Sequence, residues 1–261
     1  MNHLPKTIFF DMDNTLIDSA THKIPSSTVH ALREAQRNGY KLCIATGREW
    51  LMVKTHDVLS ILDWDGYILT NGQVVVDRAF REILHITIAR HAILEIIALV
   101  KQFGLSSTFN GETNFRLTDI DENMLRAHHF FNEPIYPKDE YTDQPIDKVL
   151  VYAPEGFDWT PFRNIKGISV FPGISTYADI IAEDSDKSAG ILALMNHMGW
   201  EEDGYTAFGD SLNDIGMIRH AKIGVAMGNG VEELKAIADH VTTSVSEDGI
   251  YNGLKHLGYI K

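Results

Sequence analysis

The sequence predicts an α/β fold: a doubly wound, Rossmann-like parallel-sheet core interrupted by an inserted mixed α/β module. Three observations carry this. Short apolar runs alternate with helically spaced apolar residues up to residue 70, the alternation breaks after Asn71-Gly72 and resumes near Lys187, and several of the apolar runs end on polar residues. Strands that alternate with helices imply parallel neighbours joined by crossovers, because a tight hairpin joins only antiparallel strands.

The first run, Thr7-Ile8-Phe9-Phe10, is β-branched and aromatic and stops at Asp11, as a buried strand ending at a polar loop does. A helix follows, with Ser26 or Ser27 placed to cap it, Val29, Leu32 and Ala35 at helical spacing, and Gly39 closing it. Residues 42–45 read as a second buried strand ending at Thr46-Gly47-Arg48, residues 49–62 as a helical stretch, and residues 67–70 as a third strand. After Asn71-Gly72 come an all-valine run at 74–76, an apolar stretch at 83–88, a helix near 89–103 and short strand-like runs separated by Pro and Asp. The core rhythm returns with a helix over 187–198, a strand over 205–208, a helix from about Asn213 and a strand over 223–226. The expected division is core over 1–78, insertion over 79–184 and core again over 185–261.

With 261 residues, 44% of them hydrophobic, the chain is long enough to bury a large core. Its formal charge of -13 repels nucleic acids and acidic lipid surfaces at long range, and no Lys/Arg cluster opposes that field. Neither a nucleic-acid nor a membrane partner is expected. Cys43, the single cysteine, lies in the apolar run Leu42-Cys43-Ile44-Ala45, which excludes an intramolecular disulfide and predicts a buried, inert thiol. The opening Met1-Asn2-His3-Leu4-Pro5-Lys6 has no apolar signal segment, and no stretch reaches membrane-span length. A cytoplasmic location is the expectation.

Asp11, Thr46 and Asp210 each stand at, or one residue beyond, the end of a predicted strand. In open parallel sheets the ligand crevice lies outside the carboxyl ends of the strands, so these distant positions converge on one site. Asp11-Met12-Asp13-Asn14-Thr15 places two carboxylates on a tight turn where backbone amides can also face a phosphate. Carboxylates so close repel each other without a cation. Magnesium, which prefers oxygen ligands and bridges carboxylates to a substrate phosphate, resolves the conflict. Asp210 and Asp214, in Gly209-Asp210-Ser211-Leu212-Asn213-Asp214, can complete its site.

The ordered set resembles the haloacid-dehalogenase-like hydrolase superfamily, in its Cof-type sugar- and cofactor-phosphatase branch. The resemblance spans the chain and rests on Asp11-Met12-Asp13-Asn14-Thr15-Leu16, Ala45-Thr46-Gly47-Arg48, Lys187 opening a helix, Gly209 to Asp214 and Ala226-Met227-Gly228-Asn229-Gly230. It implies that the insertion is a cap domain and that Asp11 attacks phosphorus to give an aspartyl-phosphate. Asp13 would protonate the leaving alkoxide and then activate water, its backbone carbonyl binding magnesium. Met12, Thr46, Gly47, Lys187 and Asn213 would hold phosphoryl oxygens, with Arg48 either a further phosphate contact or paired with a nearby carboxylate. Asp210 would ligate the metal and Asp214 would act through water or by orienting its neighbours. Small phosphorylated metabolites suit the branch: sugar phosphates, pyridoxal phosphate or flavin mononucleotide. An insertion following the third strand would form a lid at the sheet edge that carries the carboxylates.

Two departures stand out. Asn14 replaces a usual Gly, and Asn is the residue after Gly that best tolerates the left-handed region. Around Lys187 the chain reads Glu183-Asp184-Ser185-Asp186-Lys187-Ser188, without the glycines common there. Other readings fit less well. A calcium loop starting at Asp11 would need Gly and Glu where Leu16 and His22 stand. A serine esterase using Ser211 would need an Asp-x-x-His pattern downstream, and none follows. A catalytically inactive, metabolite-binding relative would usually have lost a carboxylate, and none is lost here; a sugar-phosphate mutase of the same superfamily keeps Asp13 and stays open as the alternative.

Overall fold

The computed structural model describes residues 4–54, 57–131, 134–173, 176–183 and 185–261. The chain divides into two compact units, one made of Met1–His85 with Asp186–Lys261 and the other of Ile86–Ser185. Asp184, the expected last residue of the insertion, lies outside the described residues.

The first unit opens with β1 (Thr7–Phe10), α1 (Ser26–Arg37), β2 (Lys41–Ala45), α2 (Trp50–Lys54), α3 (Val58–Ile61), β3 (Gly66–Leu69), β4 (Val74–Asp77) and β5 (Glu82–His85). One local expectation needs correction. Neither Ser26 nor Ser27 caps α1: Pro25 occupies the N-cap position without a side-chain bond, and the Ser27 hydroxyl donates to Asp248 at 2.5 Å. The helical stretch expected over 49–62 contains α2 and α3. Residues 55 and 56 lie outside the described residues.

The second unit carries α4 (Arg90–Phe103), β6 (Ser106–Gly111), β7 (Phe115–Arg116), α5 (Glu122–Phe131), β8 (Ile146–Tyr152), α6 (Thr160–Arg163), β9 (Ile168–Pro172) and β10 (Tyr177–Ala182). Its five strands pair antiparallel in the order β7-β6-β8-β10-β9. Residues of α4 and α6 pack with Phe109, Val149, Val151 and Ile180 on one face, while Met124 and Ala127 of α5 meet Leu150 and Tyr152 on the other.

The chain returns to the first unit with α7 (Lys187–Met198), β11 (Tyr205–Gly209), a 3-10 turn at Leu212–Asp214, α8 (Ile215–His220), β12 (Ile223–Ala226), α9 (Glu232–Lys235), β13 (His240–Val241) and α10 (Gly249–Leu257). The completed sheet has the order β13-β12-β11-β1-β2-β3-β4-β5. Strands β13 to β3 are parallel, while β4 and β5 extend the β3 edge as an antiparallel hairpin. Residues 79–85, read from the sequence as the start of the insertion, therefore belong to this sheet's unit. The physical reason is burial, since Ile83 and Leu84 of β5 pack into the same cluster as Val75 of β4.

Alternate residues of β1 face opposite sides, as a doubly covered sheet requires. Ile8 and Phe10 join Leu32 and Ala35 of α1 and Leu254 of α10, whereas Phe9 joins Ile191 of α7 and Met217 of α8. Cys43 is buried and free, and burial pushes its thiol pKa up. No helix among the described residues is long and apolar enough to cross a membrane.

Candidate active site

The site grows from the carboxyl ends of β1, β2, β3 and β11. Asp11 follows β1 directly, and its amide still bonds to Phe208 of β11 at 3.0 Å, so the sheet fixes its backbone before the chain turns. Beyond it Asn14 adopts φ 56°, the left-handed conformation that Asn tolerates, and its amide bonds to the Ile17 carbonyl at 2.7 Å. Asn229, from the loop after β12, donates to the Asn14 carbonyl at 2.9 Å and buttresses the turn. The Met12 side chain is fully buried in the core, so only its backbone is available to a ligand.

Lys187 opens α7 with its ammonium inside the protein, 2.5 Å from Oδ1 of Asp11 and 2.6 Å from Oδ1 of Asp214. The helix start is fixed in two ways. Asp186 caps it through Ala189 N at 2.8 Å, and Gly72 packs so tightly below it that a Cβ there would fall 2.0 Å from the Asp186 carbonyl oxygen. The missing glycines around Lys187 are thus compensated by a capping aspartate and by a glycine contributed from the β3 side.

Asp214 is completely buried and engaged at both oxygens: Oδ1 takes Lys187, and Oδ2 accepts from the amides of Asp210 and Ser211, each at 2.9 Å. It orients the neighbouring groups as well as offering oxygens of its own. Asp210 accepts from the Thr15 hydroxyl at 3.0 Å. Asp11, Asp210 and Asp214 each offer an oxygen within 4.8 Å of the others'. Burial, and then the neighbouring carboxylates, push the pKa of Asp210 up; burial likewise raises Asp11 against the opposing pull of Lys187. The Lys187 pKa is raised in spite of burial, because Asp11 and Asp214 hold its charge.

Three clustered carboxylates matched by one ammonium leave excess negative charge in a nearly dry site. Hard oxygen donors in that state suit a divalent cation such as magnesium. Asp13 stands apart from this trio: its carboxylate forms a bidentate pair with Arg48, Nε to Oδ2 and Nη2 to Oδ1, both at 2.8 Å. Of the two readings open for Arg48, the structure contains the carboxylate pair.

Thr46 is buried at the end of β2, its hydroxyl accepting from the Arg48 amide at 3.1 Å, and Gly47 lies next to the amide groups of Asn71 and Asn213. The Asn213 side chain is held at both ends, its Nδ2 donating to Asn71 Oδ1 at 2.9 Å and its Oδ1 accepting from the Ser211 hydroxyl at 2.5 Å. Ser211 therefore spends its proton on an amide, not on a histidine base. Thr15, Asn71, Asp186 and Asn229 join the site through partners that the sequence does not announce. Thr15, Asp186 and Asn229 lie inside or beside the motifs and Asn71 follows the end of a strand, so the sequence signal is position without partner.

A family model for haloacid dehalogenase-like hydrolases matches residues 8–254. The protein YkrA of Bacillus subtilis (strain 168) is 31% identical over 98% of this chain and 99% of its own length. Among solved structures, BT1666 from Bacteroides thetaiotaomicron, described among the phosphatases of this superfamily, superposes with a TM-score of 0.89 at 27% identity, covering 99% of this chain and 97% of that one. The subclass IIB sugar phosphatase BT4131 superposes with a TM-score of 0.86 at 30% identity, covering 97% and 99% respectively. With an unbroken family match and near-complete coverage on both sides, the chain belongs to the haloacid dehalogenase-like hydrolases, as a phosphatase of the subclass IIB kind acting on phosphoric monoesters.

Proposed function

We propose that the chain hydrolyses small phosphorylated metabolites, a sugar phosphate or a phosphorylated cofactor, with magnesium and through an aspartyl-phosphate on Asp11. The observation that carries this reading is the placement of Asp11: a strand-end carboxylate paired with a buried lysine and gathered with Asp210 and Asp214. The relation to a sugar phosphatase supports sugar phosphates as the first class to test.

One oxygen of Asp11 attacks phosphorus as the ester P–O bond breaks, and the departing alkoxide takes a proton from Asp13. Asp13, now a carboxylate, removes a proton from water; the water oxygen attacks phosphorus, the bond to Asp11 breaks, and inorganic phosphate leaves. Lys187, Asn213, the Thr46 hydroxyl and the backbone at Met12 and Gly47 hold the phosphoryl oxygens, so that positioning and charge stabilisation supply most of the rate. When bound, magnesium held by Asp11, Asp210 and the Asp13 carbonyl, with Asp214 beside them, would neutralise charge that these carboxylates and the phosphate cannot shed. Arg48 aligns Asp13, and its guanidinium is proposed as a further phosphate contact once Asp13 turns to the leaving group.

We assign the choice among metabolites to the inserted second unit. The cytoplasm is the setting we propose, on the strength of the buried free thiol of Cys43. The test is a magnesium-supplemented screen of phosphate release over sugar phosphates, pyridoxal phosphate, flavin mononucleotide, phosphopeptides and nucleic-acid ends. Turnover confined to small monoesters is the expected result, and preference for a phosphopeptide or a nucleic-acid end would overturn it.

A further inference from the structure

Three consecutive residues after β3 stand at positive φ: Thr70 at 48°, Asn71 at 54° and Gly72 at 99°. Glycine is at ease there and asparagine is tolerated, but a β-branched threonine is a genuine outlier. Strain of this kind persists only where the surroundings over-determine the backbone, and it concentrates at functional sites. Here the surroundings are the loop after β2. The Thr70 amide bonds to the Arg48 carbonyl and the Asn71 amide to the Thr46 carbonyl, both at 3.0 Å, so the two loops are sewn together on either side of Gly47.

The consequence is the position of one side chain. Asn71 is 7% exposed, and a Cβ on Gly47 would lie 3.0 Å from its Oδ1, 3.3 Å from its Nδ2 and 3.5 Å from Asn213 Nδ2. The hydrogen-bond chain fixes which way the amide faces. The Ser211 hydroxyl donates to Asn213 Oδ1, and Asn213 Nδ2 donates to Asn71 Oδ1. With Oδ1 committed, the amide nitrogen of Asn71 lies beside the glycine whose missing side chain leaves room for a ligand. An amide donor beside that space can serve an anion, and a hydrogen bond to a charged group is among the stronger ones.

We propose that Asn71 is a further phosphate-binding residue, its Nδ2 donating to a phosphoryl oxygen next to Gly47. This rests on the phosphatase reading above, in which Gly47 and Asn213 hold the same group. The strained turn exists, on this account, to carry that amide to the phosphoryl position. A neutral donor suits the place, because it serves an anion without drawing a carboxylate of the metal trio out of position.

The competing explanation is that Asn71 merely suits a left-handed turn, or acts only by holding Asn213. Asn71→Gly separates these, since glycine accepts the same φ and removes the amide without adding charge. The probe is inorganic phosphate, its binding measured calorimetrically with magnesium in the full-length protein and in Asn213→Ala, each with and without Asn71→Gly. Thermal unfolding accompanies each variant. The expected result is about tenfold weaker phosphate binding on Asn71→Gly in both backgrounds, with no loss of melting temperature, as for a hydrogen bond to a charged group. Unchanged phosphate affinity in Asn71→Gly, or a loss that vanishes in the Asn213→Ala background, overturns direct donation. Failure of the underlying reading looks different: the unmodified protein would release no phosphate from nitrophenyl phosphate, and both claims would then fall.

Discussion

The Lys187 ammonium lies 2.5 Å from the Asp11 carboxylate, with the lysine side chain wholly removed from solvent and that of Asp11 6% exposed. Residues 176 apart in sequence are thereby joined inside the protein, and the lysine also holds Asp214. Breaking a buried pair by removing one partner is costly because the remaining charge is stranded. Lys187→Met should therefore lower the stability of the magnesium-free protein by about 3–5 kcal/mol. It should also cut turnover about a hundredfold to a thousandfold, as loss of a donor to the developing charge does. Chemical denaturation and steady-state kinetics on the same preparation check both figures.

The acidity of Asp11 gives a pH signature. Its pKa is raised from 3.8 to about 7 by burial first, with Lys187 opposing and Asp214 and Asp13 adding to the rise. Since the folded value lies above the unfolded one, the native state binds more protons between the two, and this group's contribution to stability is lost as pH rises through that window. Asp11→Asn carries no such loss. In magnesium-free protein its stability relative to the unmodified chain should rise between about pH 4 and about pH 7 and then level off. Urea denaturation at several pH values reads the difference, and a pH-independent gap would remove the burial argument.

The pairing of Asp13 with Arg48 predicts a leaving-group pattern. Asp13→Asn should depress turnover of alkyl phosphates more than that of nitrophenyl phosphate, whose leaving group needs little protonation. Arg48→Ala should show the same asymmetry in milder form, because it loosens the acid without deleting it. Equal losses on both substrates would detach the pair from proton transfer.

Removal of metal should abolish turnover and magnesium should restore it. Calcium should bind without supporting activity, since its longer and more irregular coordination spoils the in-line geometry that an octahedral ion enforces. Full activity after exhaustive chelation would contradict the role given to Asp210.

Much of this was legible in the sequence because strand ends announce themselves. Phe10 to Asp11 and Ala45 to Thr46 are abrupt changes from apolar to polar, and both mark sheet edges in the structure. Helix α7 begins at Lys187 and ends at Met198, as the apolar pattern bounded by Gly199 indicates. The hairpin of β4 and β5 was not legible as part of the core, because antiparallel strands look alike whether they extend one sheet or open another. The partners of Thr15, Asn71 and Asn229 were hidden for a different reason. Each bonds across the fold to Asp210, Asn213 or Asn14, and such pairings leave no periodic trace. Ser26 and Ser27 satisfy the composition rule for capping α1, but Pro25 takes the position and Ser27 finds Asp248.

Asp11 is the residue proposed to carry the phosphoryl group. The most direct measurement is acid quenching of the enzyme during turnover of a labelled phosphate monoester with magnesium, followed by proteolysis and identification of the labelled peptide. The expected result is an acid-stable, hydroxylamine-sensitive label on the peptide containing Asp11, absent from Asp11→Asn, which should also release no phosphate. Undiminished phosphate release by Asp11→Asn would contradict it.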